Sequence, residues 1–169
     1  MNITAYFRYR WKAHNRHGVH SPFAYAFVED VIEDRKRTTL SDIAIPWTHK
    51  PALRYDRLLR RMMAYYGYKS IINLTTGDNK INAVYDVLLI DSDKSAEWLQ
   101  MLNNNKELIG NDSALVLAGI HNTKSHSEAW QKVCAAPMVR MSIDLYDIGL
   151  LFFKKEFIVP QRFVFKGPE

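Results

Sequence analysis

Only one cysteine, Cys134, stands in the 169 residues. A lone cysteine excludes an intramolecular disulfide and fits a reducing compartment, so the expected location is the cytoplasm. No apolar run approaches the roughly 20 residues of a membrane-spanning helix. The opening stretch from Met1 to Lys12 has no apolar core of the kind a signal peptide carries. Glycine motifs are missing as well. There is no G-x-G-x-x-G and no G-x-x-x-x-G-K-[ST], which leaves dinucleotide and P-loop phosphate binding without a motif. No Cys/His spacing matches a zinc site. His14, His17 and His20 fall near one turn, but their spacing fits capping and local hydrogen bonding better than metal ligation. Internal repeats, low-complexity tracts and a clear linker are also lacking.

What is present describes one globular domain. Hydrophobic residues make up 47% of the chain, enough for a sizeable core at this length. The formal charge is +5 with a pI near 9.3. That permits an anionic partner without requiring one, and nucleic acid is not expected on charge alone. The charge is uneven. Residues 1–20 carry Arg8, Arg10, Lys12 and Arg16 and no acid, interleaved with Tyr6, Phe7, Tyr9 and Trp11. The pattern reads as an amphipathic helix with buried aromatics and solvated cations. A base-stacking surface is the competing reading.

Helices are expected first. One spans about Thr4 to Asn15. Ser21-Pro22 looks like an N-cap followed by proline at the first helical position. It opens a helix with Phe23, Phe27, Val28, Val31 and Ile32 on one face. Residues 38–50 read as irregular. Pro51 opens a third helix with Leu53, Leu58, Leu59, Met62 and Met63 inward, Arg54, Arg57, Arg60 and Arg61 outward, and Gly67 as its stop signal. Residues 1–66 therefore form a helical portion, and 70–169 an α/β core. Strands are expected at 70–75, 85–91 and 113–118, and helices at 94–106 and 123–135. Met141 to Lys155 reads as two strands meeting near Tyr146-Asp147, with a further extended stretch within Phe157–Lys166. The fold class is a shortened, doubly wound Rossmann-like sheet with N-terminal helices and a C-terminal antiparallel hairpin.

Two segments hold the chemistry. Ser70-Ile71-Ile72-Asn73-Leu74-Thr75-Thr76-Gly77-Asp78 and Tyr85-Asp86-Val87-Leu88-Leu89-Ile90-Asp91-Ser92-Asp93-Lys94 each read as a buried strand entering a polar turn. In open α/β sheets, ligands bind outside such strand ends. Only about nine residues separate the strands, fewer than a parallel crossover normally takes. An antiparallel hairpin therefore competes with a parallel pair. Asp91, at a strand's carboxyl end, is the best single candidate for meeting a ligand; capping the following helix is its structural alternative. Ser113 and Ser142 are conceivable nucleophiles, but neither sits on a nucleophile elbow.

The stretch from Tyr85 to Lys94, followed by Glu97-Trp98-Leu99, resembles the fourth strand and following helix of class I S-adenosylmethionine-dependent methyltransferases of the small-molecule O-methyltransferase branch. His17-Gly18-Val19-His20-Ser21-Pro22-Phe23 is similar to the opening of a bacterial subgroup of such proteins. Ile143-Asp144-Leu145-Tyr146-Asp147-Ile148-Gly149-Leu150-Leu151-Phe152-Phe153 resembles that subgroup's closing hairpin. The resemblance implies a cofactor site at Asn73, Thr75, Gly77 and Asp91, with Asp91 and His121 as catalytic candidates near an acceptor.

The departures from the family pattern are specific. Its glycine-rich first turn is here Asn73-Leu74-Thr75-Thr76-Gly77-Asp78-Asn79, with one glycine. Side chains there crowd the approach of a ligand to the backbone. No segment between Asp78 and Val84 is long enough to supply the second strand, whose terminal acid holds the ribose. The second and third strands are expected to be absent. The metal-dependent branch's Asp-Asn pair is replaced within Ala118-Gly119-Ile120-His121-Asn122, which leaves a hard cation too few oxygen ligands. The expectation is a degenerate, non-catalytic relative that binds S-adenosylmethionine weakly or not at all and takes no metal. The alternative is an active small-molecule O-methyltransferase with a reduced site. Loss of the two strands exposes 70–75, with Ile71, Ile72 and Leu74, as a sheet edge; a homodimer is expected to cover it, and the alternative is a monomer in which the third helix or segment 38–50 covers it within the chain.

Overall fold

The computed structural model describes residues 21–34, 39–49, 51–76 and 83–168. The helix expected over Thr4 to Asn15, the histidines at 14, 17 and 20, and Gly77 lie outside them.

Ser21 caps helix α1 (Pro22–Ala26), its hydroxyl accepting from the Ala24 amide at 3.4 Å, with Pro22 in the first turn. The chain continues as a π-helix over Phe27–Ile32, closed by the Glu33 amide donating to the Val28 carbonyl at 2.8 Å. Phe27, Val28, Val31 and Ile32 are buried, as the spacing predicts. Helix α2 (Leu53–Tyr66) ends on Gly67 at φ 69°, the left-handed geometry that glycine adopts without strain. It starts two residues after the expected Pro51. Leu58, Leu59, Met62 and Met63 are fully buried, but Leu53 is 60% exposed in the first turn, against expectation. Arg60 and Arg61 are not simply outward either. Arg60 reaches Asp56 at 2.9 Å and the Ser41 carbonyl at 3.1 Å, and Arg61 pairs with Asp34 at 3.3 Å.

Six strands form one sheet: β1 (Ile71–Asn73), β2 (Tyr85–Ile90), β3 (Ile109–Ala118), β4 (Met141–Asp144), β5 (Ile148–Phe152) and β6 (Gln161–Val164), in the order β1-β2-β3-β5-β4-β6. β1 and β2 are parallel despite their short connection, with Ile72 beside Leu88, and β2 is parallel to β3. This excludes the hairpin alternative. Only β5 runs against its neighbours, β3 on one side and β4 on the other. β6 lies parallel to β4 at the far edge. Helices α3 (Trp98–Asn104) and α4 (Lys124–Cys134) connect β2 to β3 and β3 to β4.

Alternate strand residues face opposite layers, as the two-residue period of a strand requires. Val87, Leu89, Val116, Leu150 and Phe152 pack against α1, the π-helix and α2. Leu88, Ile90, Leu115, Leu117 and Leu151 pack against Trp98, Leu102, Trp130 and Val133 of α3 and α4. The strands are apolar on both faces because both are covered. Each fully buried Leu or Val contributes roughly 1.5–3 kcal/mol, so these layers set the fold. Among the described residues no helix is long and apolar enough to cross a membrane.

β1 has three residues and, among the described residues, one strand neighbour, and it is pinned at both ends. At its start, Asp86 accepts from the amides of Lys69 and Ser70 and from the Ser70 hydroxyl, all within 2.9 Å. Burial pushes the Asp86 carboxyl up, but these hydrogen bonds outweigh it and hold the group below the usual aspartate value. The expected exposed apolar edge is smaller than the sequence implies. Ile72 and Leu74 are buried within the chain, and Ile71 is half-buried.

Candidate functional site

The carboxyl ends of β1 and β2 bring Asn73, Thr75 and Asp91 together. Asn73 Nδ2 donates to Asp91 Oδ1 at 2.9 Å. Asn73 Oδ1 accepts from the Thr75 amide at 2.8 Å, and the Thr75 hydroxyl accepts from the Asp91 amide at 3.0 Å. Three of the four residues expected to hold a cofactor thus bond to one another.

The irregular segment 39–49 completes this cluster. The amides of Thr48 and His49 both donate to Asp91 Oδ2, the latter at 3.3 Å. Asn73 Nδ2 also reaches the Pro46 carbonyl at 2.8 Å and Thr48 Oγ1 at 3.2 Å. Its amide has two protons, so three acceptors share them. The strap is fastened on its other side to α2. Trp47 Nε1 donates to Asp56 at 3.0 Å, and the Ser41 amide donates to the Arg60 carbonyl at 3.1 Å. Ile45 is buried in the core beneath. A segment without helix or strand must place its buried backbone groups somewhere, and here they go to Asp91, Asn73 and α2.

Asp91 is 5% exposed. Burial pushes its carboxyl up, and the hydrogen bonds from Asn73, Thr48 and His49 more than reverse this, leaving it below the ordinary aspartate value. The result is an ionised carboxylate whose two oxygens are both occupied by the protein's own donors.

Beside the strap lies a cleft of about 330 Å³, at the low end for small-molecule sites. His49, Tyr55, Asp91, Asp93, Gly119, Asn122 and Asp147 line it. Gly119 sits at φ 72° at the end of β3, and a side chain there would collide with Asn122. This left-handed turn carries the chain from β3 towards α4.

The turn sends His121 elsewhere, since it is not among the residues lining the cleft. His121 Nε2 lies 2.7 Å from Asp144 Oδ2, at the end of β4, and Nδ1 lies 2.8 Å from the Ser127 hydroxyl, in the first turn of α4. Asp144 is held further by Trp130 Nε1 at 3.2 Å and by the Tyr146 amide at 2.9 Å. The two catalytic candidates, Asp91 and His121, therefore serve separate hydrogen-bond networks. Of the serines considered as nucleophiles, Ser113 accepts from the Gly110 amide at 2.8 Å and Ser142 is buried within β4. Among the described residues no group of three or more His, Cys, Asp or Glu could hold a metal ion.

The strap's role at Asp91 and the partnership of Ser127 and Asp144 with His121 escape sequence reading. Thr48 is 43 residues from Asp91 and belongs to no motif. Comparison of the chain with protein-family models, with curated proteins and with solved structures finds no match.

Proposed function

We propose that this chain is a non-catalytic relative of class I S-adenosylmethionine-dependent methyltransferases, retained as an interaction or regulatory module. The observation that carries the reading is the occupation of Asp91. Segment 46–49 spans the ends of β1 and β2, the crevice where a ligand of an open α/β sheet would sit. A cofactor entering there must displace the Thr48 and His49 amides from a buried carboxylate, at a cost on the order of 1–3 kcal/mol. The single glycine of the 73–79 stretch supports the same reading. The residues present at the ends of β1 and β2 do not fit the cofactor.

A second reading, a small-molecule O-methyltransferase with a reduced site, draws on one observation. The cleft beside Asp91 remains open, and its walls of Asp91, Asp93, Asp147 and His49 offer hydrogen-bond acceptors to an acceptor substrate. Calorimetry with S-adenosylmethionine and S-adenosylhomocysteine separates the two. The non-catalytic reading expects a dissociation constant weaker than about 1 mM, a binding free energy smaller than about 4 kcal/mol. Low-micromolar binding that disappears in Asp91→Ala restores the enzyme.

A further inference from the structure

We infer that Ser127, His121 and Asp144 form a nucleophilic relay able to take an acyl group from a small carboxylic ester, an activity apart from the methyl transfer that the chain is proposed to lack, at a site separate from Asn73 and Asp91. The proton positions follow from the acceptors. As a carboxylate Asp144 only accepts, so the 2.7 Å contact pairs it with a hydrogen on His121 Nε2. In that tautomer the lone pair lies on Nδ1, and the Ser127 hydroxyl donates to it across the 2.8 Å contact. The competing acceptor for that hydroxyl, the Thr123 carbonyl, is farther away at 3.3 Å. Serine donating to histidine, and histidine donating to a fixed carboxylate, is the arrangement that activates an alcohol near neutral pH. The ring nitrogens are used in the opposite sense to the familiar serine protease order, but the roles are the same.

The supports of the relay match those roles. Trp130 and the Tyr146 amide fix both oxygens of Asp144, which orients the imidazole. Tyr146 holds φ 73°, an uncommon conformation for a residue with a side chain, and its ring lies 5.4 Å from that of His121. The His121 side chain keeps 17% exposure and Ser127 is half-buried, so the pair is not sealed inside the core. Ser127 belongs to the first turn of an 11-residue helix, whose positive end favours developing negative charge.

The reaction balances without any further reagent. Ser127 Oγ bonds to the ester carbonyl carbon while its proton passes to His121 Nδ1 and the carbonyl π pair moves onto oxygen. The carbon–alkoxy bond then breaks, and the departing oxygen takes the proton from Nδ1. Water, deprotonated by Nδ1, attacks the acyl carbon, and Ser127 Oγ leaves with that proton. The sum is ester plus water giving acid plus alcohol.

A fluorophosphonate probe reports the same nucleophile by forming a stable serine–phosphorus bond with loss of fluoride. The native protein should take up one adduct, mapped by peptide mass to Ser127, and should hydrolyse p-nitrophenyl acetate. Ser127→Ala should abolish both, and His121→Gln should slow labelling by about 10²-fold or more, the usual scale of a general base. Denaturing the wild-type chain should remove the reactivity, which tests the relay even where a variant fails to fold. No adduct at Ser127 in the folded wild type, or labelling as fast in denaturant as in the native protein, overturns the inference.

Discussion

Asn73 and Asp91, eighteen residues apart in the chain, are joined side chain to side chain at 2.9 Å across the ends of two parallel strands. The same carboxylate carries the backbone of Thr48 and His49. One aspartate thus ties β1, β2 and the irregular strap together. Asp91→Ala should cost about 1–3 kcal/mol, because it leaves the buried Asn73 amide and the strap amides of Thr48 and His49 without their acceptor. For a chain of this size that is a fall in melting temperature of roughly 2–12 °C, read by calorimetric or circular-dichroism melting. An unchanged melting temperature would mean that the strap holds without Asp91.

Acid should release the same contacts. Asp86 and Asp91 are both held below the ordinary aspartate value of about 3.9. As pH falls through that value the unfolded chain takes up protons first, so stability drops. The contribution is complete above the unfolded value and drains away as the pH approaches the folded ones. Urea midpoints measured from pH 6 down to 3 should fall more steeply for the wild type than for Asp86→Asn/Asp91→Asn. Parallel curves would show that other carboxylates set the acid limit.

Gly149 lets the Trp130 ring approach the sheet closely. A Cβ at this position would come within 2.5 Å of the ring carbons. Trp130 is 2% exposed and has little room to move. Gly149→Ala should therefore destabilise by about 1–3 kcal/mol through overpacking. Because Trp130 also bonds Asp144, its near-ultraviolet circular dichroism should change as well. A variant as stable as the wild type, with an unchanged aromatic spectrum, would mean the ring relaxes freely.

The proposed homodimer rests on β1 alone. That strand offers three residues of open edge, and only Ile71 leaves apolar surface partly uncovered. Light scattering over a wide dilution range should give twice the 19.7 kDa chain mass, returning to one chain with Ile71→Lys. A single-chain mass at high concentration removes the dimer.

Sequence pattern carried the layered core well, because buried strands and amphipathic helices advertise themselves by period. Val87 to Ile90 and Leu115 to Leu117 are apolar without interruption, and they lie between two helical layers. The Ser21-Pro22 cap and the Gly67 stop were legible for the same reason: each is a local requirement of the backbone. Leu53 misled because helical phase says little about a first turn that overhangs the core. The site was half legible. Asn73, Thr75 and Asp91 converge because strand ends are predictable from strands. Thr48 and His49 contribute backbone amides, which carry no residue signature. The grouping of Ser127 with His121 and Asp144 depends on the left-handed turn at Gly119 and on the register of β4, neither of which any spacing rule encodes.

The central claim is that the protein's own strap occupies the place of a cofactor, and hydrogen exchange at Thr48 tests it most directly. With its amide hydrogen-bonded to Asp91, exchange should be slow in the wild type, fast in Asp91→Ala, and unaltered by millimolar S-adenosylmethionine. Fast exchange in the free wild type, or loss of protection when S-adenosylmethionine is added, would contradict the account.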